Sequence, residues 1–435
     1  MSLPKKIKTK QSKKDRKIAR LLQLIEPVRA VEPTCPDFGV CGGCTFLNIA
    51  YESELELKQK MVEELLAGFY PAETIPIVPS PNTTGYRNKM EFSFGDLSKN
   101  GGLALGIRKR GRFYEVTIPA NCALIPEDFK AIVSYTLEYF RATKAEFYHK
   151  MRHTGTLRYL VLRRGEFTGE LLVNLVTTGS IKKQYVEEWA AGLTANQLLL
   201  AGEIAGVLHT KSDTLSDAVI PEDVKIMWGR NIFYEKICDL TFGISPFSFF
   251  QTNSAGADLL YNTVAEFAGG GDLIYDLFSG TGTIAQILAP HAKEVIGIEL
   301  IPEAVAAAKE NARLNRLTNC RFIAGDVLAI LNNGITEMSS TDYLTGKCVG
   351  DRTFQKLDVL VVDPPRDGLH PKSISKLIEL DAHKIVYVSC KPTSLARDLP
   401  AFLEAGYKVK DIRLHDMFPR TPHVEAIVLL QRHDT

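Results

Sequence analysis

LIYDLFSGTGTIAQIL, residues 273–288, passes from a β-branched and aromatic strand pattern through a glycine turn into an apolar helix pattern. Such a turn carries backbone N–H groups to the end of a sheet, and its glycines let the backbone approach a bound nucleotide closely. Working outward, strand-like and helix-like runs alternate: EVIGIEL (294–300), PEAVAAAKENARLN (302–315), CRFIAGD (320–326), LDVLVVD (357–363), SISKLIEL (373–380) and KIVYVS (384–389). That alternation predicts a parallel α/β sheet over residues 240–435.

A chain of 435 residues exceeds what one hydrophobic core usually serves. Four segments are expected: a basic arm (1–34), a cysteine-bearing segment with a helix and a linker (35–84), a central α+β domain (85–239) and the α/β domain (240–435). Leu55, Leu57, Met61, Leu65, Leu66 and Phe69 fall mostly on one face, so a helix is expected from Ser53 until Pro71 stops it. IPIVPSPNTTG (75–85) reads as the linker, and the Ser-, Thr-, Asn- and Gly-rich stretch 331–356 as a surface insertion. KMEFSFG, LALGIRKRGRFYEV, RYLVLRR and ELLVNLVTT carry the central strands, with a helix near 126–140.

Residues 1–20 hold nine Lys or Arg against Asp15, about +8, whereas the whole chain is +1 and the body therefore about −7. A basic arm on an acidic body suits a polyanionic partner. Arg87, Asn88, Lys89, Arg108, Lys109, Arg110 and Arg112 interleave with Tyr86, Phe92, Phe94, Phe113 and Tyr114, a mixture that suits unpaired RNA. Composition alone, however, favours an ordinary sheet with a charged solvent face. An apolar stretch near the ~18 residues that span a bilayer is lacking, so no membrane role is expected. Eight cysteines without a secretory signal argue for a reducing compartment, the cytoplasm.

Gly280-x-Gly282-x-x-Ala285 also fits a dinucleotide site, and Glu299, 19 residues after Gly280, can accept hydrogen bonds from ribose hydroxyls. NAD and S-adenosylmethionine both satisfy this. Asp326 and Asp363, ending a third and a fourth strand, favour the methyl donor, because Asp363 opens DPPR, a stiff loop able to frame a planar base. Cys390 follows a strand and enters a turn, where a thiol can face a cleft. Thiolate addition at C6 of a uracil makes C5 nucleophilic toward a methyl group, and a separate base must then remove the C5 proton. Glu425, in HVEAIVLL, is the candidate base, although a strand glutamate usually faces solvent. Cys35-x5-Cys41-x2-Cys44 is a metal-ligand pattern lacking a fourth member, for which Cys122 is the candidate. Structural zinc and an iron–sulfur cluster both suit that set. Cys238, Cys320 and Cys348 read as ordinary residues.

Taken together and in order, CPDFGVCGGC, PANC, FFQTN, DLFSGTG, DPPRDG, VYVSC and HVEAI resemble the signatures of the RNA uracil-C5 methyltransferase family over about residues 35–433. The resemblance implies a class I methyltransferase domain, a central RNA-binding domain, S-adenosylmethionine as donor and a 4Fe-4S cluster. It implies Cys390 as nucleophile and Glu425 as proton acceptor; Gln251, Phe278, Thr283, Glu299, Asp326 and Asp363 as donor contacts; and Cys35, Cys41, Cys44 and Cys122 as cluster ligands. A uridine of 23S ribosomal RNA is the expected target, with the tRNA T-loop as rival. A non-catalytic RNA chaperone and a DPPR-bearing amino-group methylase are the readings from other classes. Lys391 replaces the family's usual Asn and Ser394 its Thr, so Lys391 is expected to lower the pKa of the neighbouring thiol. Only 34 residues precede Cys35, too few for the β-barrel of many ribosomal RNA members, and the basic arm is expected to replace part of it.

Overall fold

The computed structural model describes Leu24 and residues 28–70, 74–195, 198–333 and 357–432. Most of the basic arm, most of the 331–356 insertion and Cys348 lie outside the described residues.

Helix α1 (Tyr51–Leu66) precedes β1 (Ile77–Val78). The central region holds β2 (Lys89–Asp96), β3 (Leu103–Arg108), β4 (Val116–Thr117), α2 (Glu127–Ala142), β5 (Leu157–Arg164), β6 (Glu170–Thr177), α3 (Lys183–Ala195), β7 (Glu203–Lys211) and β8 (Asp223–Gly229). The seven strands form one sheet in the order β4-β3-β2-β5-β6-β7-β8, antiparallel except where α3 returns the chain to make β6 and β7 parallel. Phe92, Phe129, Phe140 and Trp189 pack between this sheet and its helices. A hairpin, β9 (Phe233–Ile237) with β10 (Leu240–Ile244), follows, and the boundary expected at 239/240 falls at its turn.

The C-terminal region continues with α4 (Ser254–Ala268), β11 (Gly271–Leu277), α5 (Thr283–Leu288), β12 (Ala292–Glu299), α6 (Pro302–Leu314), β13 (Cys320–Ala324) and α7 (Val327–Asn333). Then come β14 (Val359–Val362), α8 (Pro371–Glu379), β15 (Lys384–Ser389), α9 (Pro392–Glu404), β16 (Tyr407–His415) and β17 (Glu425–Arg432). Its sheet is ordered β1-β16-β17-β15-β14-β11-β12-β13. Strands β11 to β15 are parallel, and their nearly continuous apolar runs are buried on both faces by helices.

Two features depart from the expected layout. β17 runs antiparallel between β15 and β16, so the sheet is mixed rather than parallel. The segment expected as a linker supplies β1, which extends the same sheet beside β16, while Val62 and Leu66 of α1 join its core.

A buried ion cluster fastens the amino-terminal helix to the β16–β17 connection. Lys58 Nζ lies 2.7 Å from Glu54 Oε1 and 2.6 Å from Asp416 Oδ1, with all three side chains 1% exposed or less. Tyr51 donates to Asp416 Oδ2 at 2.8 Å, and the Arg420 N–H donates to Glu54 Oε1 at 2.6 Å. Removing the cation would leave the buried Asp416 without its cationic partner and Glu54 with only the more distant Arg420 guanidinium at 3.6 Å. Lys58→Met is therefore expected to cost about 3–5 kcal/mol of unfolding free energy in urea titrations; a change below 1 kcal/mol would contradict the account.

Candidate active site

The ends of β11, β12, β14, β15 and β17 meet at one edge of the mixed sheet, and each delivers a side chain. After β11 the backbone turns sharply: Phe278, Gly280 and Gly282 all have positive φ (64°, 54° and 76°). A side chain at Gly282 would strike Phe322, whereas one at Gly280 would meet nothing within 4 Å, so Gly280 borders open space. Thr283 opens α5 and is buried.

Glu299 holds this turn from β12: its Oε2 accepts the Gly280 N–H (3.0 Å) and its Oε1 the Ile301 N–H (2.9 Å), leaving further lone pairs for a ligand's hydroxyls. Asp276 Oδ2 accepts the Ala285 N–H at 2.9 Å, while its buried Oδ1 has no partner. Asp326 is not the end of a strand, since β13 stops at Ala324; its exposed carboxylate caps α7 by accepting the Ala329 N–H at 2.8 Å.

Asp363 follows β14 directly, and Glu425 opens β17. Ser389 pairs with Ala426, so Cys390, one residue on, arrives beside Glu425 on the neighbouring strand. Glu425 is 3% exposed, not solvent-facing as a strand glutamate usually is. Gln251 is buried; its carbonyl accepts from Asn88 Nδ2 (3.0 Å) and its side chain is hydrogen-bonded to the Tyr261 hydroxyl. Tyr261 faces Asp363, Asp276 and Glu425, whose charges add to burial in pushing its phenol far up. Sequence reasoning missed Tyr261, because an aromatic at a buried helix position carries no distinguishing signal.

Electrostatically the site is an excess of acid. Burial raises Asp363 to about 7. Burial, with Asp363 and Glu299 adding to it, raises Asp276 to about 8. Burial and then Asp363 raise Glu425 to about 8, with Arg366 opposing. The Cys390 thiol is pushed up to about 11 by burial, then by Glu425 and Asp363. The cation that lowers it is Arg366 of DPPR, not Lys391 as expected; Lys391 is exposed at the start of α9. Ser394 has a positional use: its hydroxyl donates to the Arg366 carbonyl at 2.9 Å, tying the DPPR loop to the helix after Cys390.

The fold unites the four cysteines that the pattern grouped. Cys41, Cys44 and Cys122 are buried, and Arg110 clamps the segment by donating to the carbonyls of Cys41 (2.7 Å) and Cys44 (2.6 Å). Burial pushes Cys44 to about 12, with Cys122, Cys41 and Cys35 contributing, so the thiols share one electrostatic neighbourhood. Among the described residues, no group of three or more His, Cys, Asp or Glu is arranged to hold a metal ion. The expected RNA-stacking rings are largely core: Tyr86, Phe92 and Phe94 are buried, Arg110 serves the cysteine segment, and Phe113 is 71% exposed. Among the described residues, no helix is long and apolar enough to cross a membrane.

A sheet with this strand order, a glycine turn after its central strand and acids at the following strand ends defines an α/β domain of the nucleotide-binding kind. The family model for tRNA (uracil-5-)-methyltransferase matches residues 50–433. The chain belongs to that family and is an S-adenosylmethionine-dependent RNA uracil-C5 methyltransferase. It is 43% identical to an uncharacterized RNA methyltransferase of Caldanaerobacter subterraneus over 98% of this chain and 91% of that one. It is also 43% identical to an uncharacterized RNA methyltransferase of Clostridium tetani over 97% and 89%. The crystal structure of Pyrococcus abyssi tRNA (uracil-54, C5)-methyltransferase in complex with S-adenosyl-L-homocysteine superposes with a TM-score of 0.71 at 28% identity, covering 90% of this chain and 86% of that one.

Buried acids whose pKa values are raised retain protons that a bound cation would displace. Affinity for the cationic S-adenosylmethionine is therefore expected to rise between pH 6 and pH 9, spanning the values of about 7 and 8 for Asp363 and Glu425. S-adenosylhomocysteine, without the sulfonium charge, should show a shallower dependence. Calorimetric titrations across that range check this, and parallel profiles for the two ligands would refute it.

Proposed function

We propose that the chain methylates C5 of a uridine in 23S ribosomal RNA, with Cys390 as nucleophile and Glu425 as proton acceptor. The observation that carries this reading is the adjacency of Cys390 and Glu425 at the ends of β15 and β17, beside the buried acids Asp363 and Asp276. The open space at Gly280 and the unpartnered Asp276 Oδ1 suit a polar, cationic donor. Gln251, Phe278, Thr283, Glu299, Asp326 and Asp363 would hold it. S-adenosylmethionine supplies an electrophilic methyl group when bound.

Cys390 Sγ adds to C6 of the uracil, making C5 nucleophilic toward that methyl. After C5 has been alkylated, the Glu425 carboxylate takes the C5 proton, the C6–Sγ bond breaks, and the C5–C6 double bond and the thiolate re-form. Burial works most against the thiolate, followed by Glu425 and Asp363, while Arg366 favours it. A positive charge arriving among these acids favours the thiolate further.

Cys390→Ala is expected to abolish transfer of labelled methyl to RNA. Glu425→Gln should instead accumulate a covalent protein–RNA adduct, visible as a shifted band in denaturing gels. A Cys390→Ala variant that still methylates would sink the mechanism, and an amino-group methylase would form no adduct with 5-fluorouridine RNA.

The cysteine segment, which resembles that of ribosomal RNA members, supports the 23S assignment and a cytoplasmic setting. The Pyrococcus abyssi neighbour, a tRNA uracil-54 enzyme, favours a tRNA loop as the second reading. Mass mapping of 5-methyluridine in rRNA and tRNA from a deletion strain separates them.

We also propose that Cys35, Cys41, Cys44 and Cys122 hold a 4Fe-4S cluster, which would serve as a structural staple between the cysteine segment and the central sheet. Anaerobically purified protein should then contain iron and sulfide, and Cys44→Ser should lose both along with visible absorption; equal metal content in the two proteins would overturn the assignment.

A further inference from the structure

One charged constellation in the central region lies outside the site above. On the sheet face that includes Ser93, Tyr159 and Arg163, the guanidinium of Arg108 grips the Asp217 carboxylate with two hydrogen bonds, Nη1 to Oδ2 at 2.5 Å and Nη2 to Oδ1 at 2.8 Å. Tyr159 donates to the same carboxylate at 2.6 Å, and Lys150 is ion-paired with it. Arg108 is aimed by its own Nε–H, which donates to Ser93 Oγ at 3.1 Å. These donors come from three separate places in the chain, β3, β5 and the loop before β5, and they converge on one anion.

The anion is supplied by the connection between β7 and β8. Its backbone is anchored by Arg158, which donates to the carbonyls of Ser212 (2.7 Å), Thr214 (2.8 Å) and Ser216 (2.7 Å). The Asp217 side chain beyond that anchor is 48% exposed, so its oxygens are open to a competitor. Two cations, Arg108 and Lys150, thus converge on one carboxylate, while Arg158 secures the backbone that carries it. Hydrogen bonds from Arg108 hold Asp217 well below the usual carboxylate range, with Lys150 and Tyr159 adding to the effect.

The position of the group along the sheet indicates its partner. Arg163 on β5 donates to the carbonyl of Ser248, three residues before Gln251, and Leu172 and Leu208 on the same face join the core of the methyltransferase region. Tyr159 lies four residues back along β5 from Arg163, or ~13 Å at the rise of an extended strand. The cationic group therefore stands on the same sheet face that, farther along, packs against the methyltransferase region.

We propose that Arg108, Lys150 and Tyr159 form a phosphodiester-binding site for substrate RNA, and that the Asp217 carboxylate occupies it until a backbone phosphate displaces it. A carboxylate and a phosphate present the same bidentate acceptor edge to a guanidinium, so one fork serves both. The stored contact keeps the fork ordered while RNA is absent and sets a threshold against weak anions. This inference rests on the RNA-methylating reading above.

The test measures binding of a short labelled RNA hairpin with a uridine-rich loop by fluorescence anisotropy, over a range of salt concentrations. Asp217→Asn is expected to bind severalfold more tightly than wild type, because the competing charge is gone. Arg108→Gln and Lys150→Gln should each bind more weakly, with the slope of log K against log salt reduced by about 1. The Asp217→Asn/Arg108→Gln double variant should bind more weakly than Asp217→Asn alone, because Lys150 and Tyr159 are then the only members of the site left to hold the phosphate. Unchanged or weaker binding by Asp217→Asn, or a wild-type salt slope in both Arg108→Gln and Lys150→Gln, would overturn the proposal. Lys150→Gln provides the check should Arg108→Gln fold poorly. Assaying 5-methyluridine formation by the wild-type protein separates the two claims: absence of product in any RNA defeats the functional reading, while the binding series still judges the phosphate site.

Discussion

The antiparallel insertion of β17 between β15 and β16 is the constraint on which the site depends. A sixth parallel strand would carry its first residue to the opposite edge of the sheet, away from the end of β15. Reversal brings the beginning of β17 to the end of β15, and pairing of Ser389 with Ala426 sets the register. Because side chains alternate across a strand, a slip of one residue would turn Glu425 to the other face. The buried ladder from Lys384↔Gln431 to Ser389↔Ala426 guards against that slip with apolar side chains on both faces.

The connection that reverses the chain is held from outside the sheet. Asp416 is neutralised by Lys58, the Arg420 N–H is taken by Glu54, and the Arg420 carbonyl accepts the N–H groups of Thr45 and Phe46 at 2.7 and 3.1 Å. Thr45 follows Cys44 directly. The cysteine segment is therefore mechanically continuous with the loop that leads into Glu425, while Arg110 ties it to the central sheet. A single short stretch thus touches both the central sheet and the approach to the candidate base. Burial first, and then the neighbouring thiols, raise the pKa values of Cys44 and Cys122.

Much of this was legible in one dimension. The Gly280 and Gly282 turn, the helices at 51–66 and 127–142, and the central strands up to β6 follow from periodicity and breakers that act locally. The reversed β17 and the two-residue β1 were not legible. A short buried strand carries no mark of its direction, and Ile77–Val78 sits among prolines that usually signal a linker. The basic-aromatic stretch misled for a related reason: composition does not say which face a ring takes, and Phe92 and Phe94 took the core. Lys391 misled as well, since adjacency in sequence suggested an influence on the thiol that Arg366, 24 residues earlier, exerts through space.

By itself the sequence determined the chemical inventory and the local turns: a thiol after an apolar strand, acids at strand ends, three cysteines within ten residues, and glycines where φ must be positive. These follow from side-chain identity and short-range sterics, which need no distant partner. Only the tertiary structure decided which of them meet. It placed Glu425 beside Cys390, put Tyr261 among the acids, brought Cys122 to the other three cysteines and set Asp217 in the grip of Arg108. Those contacts join residues tens to hundreds of positions apart, and they exist because packing apolar faces and pairing buried charges leave one arrangement in which both are satisfied.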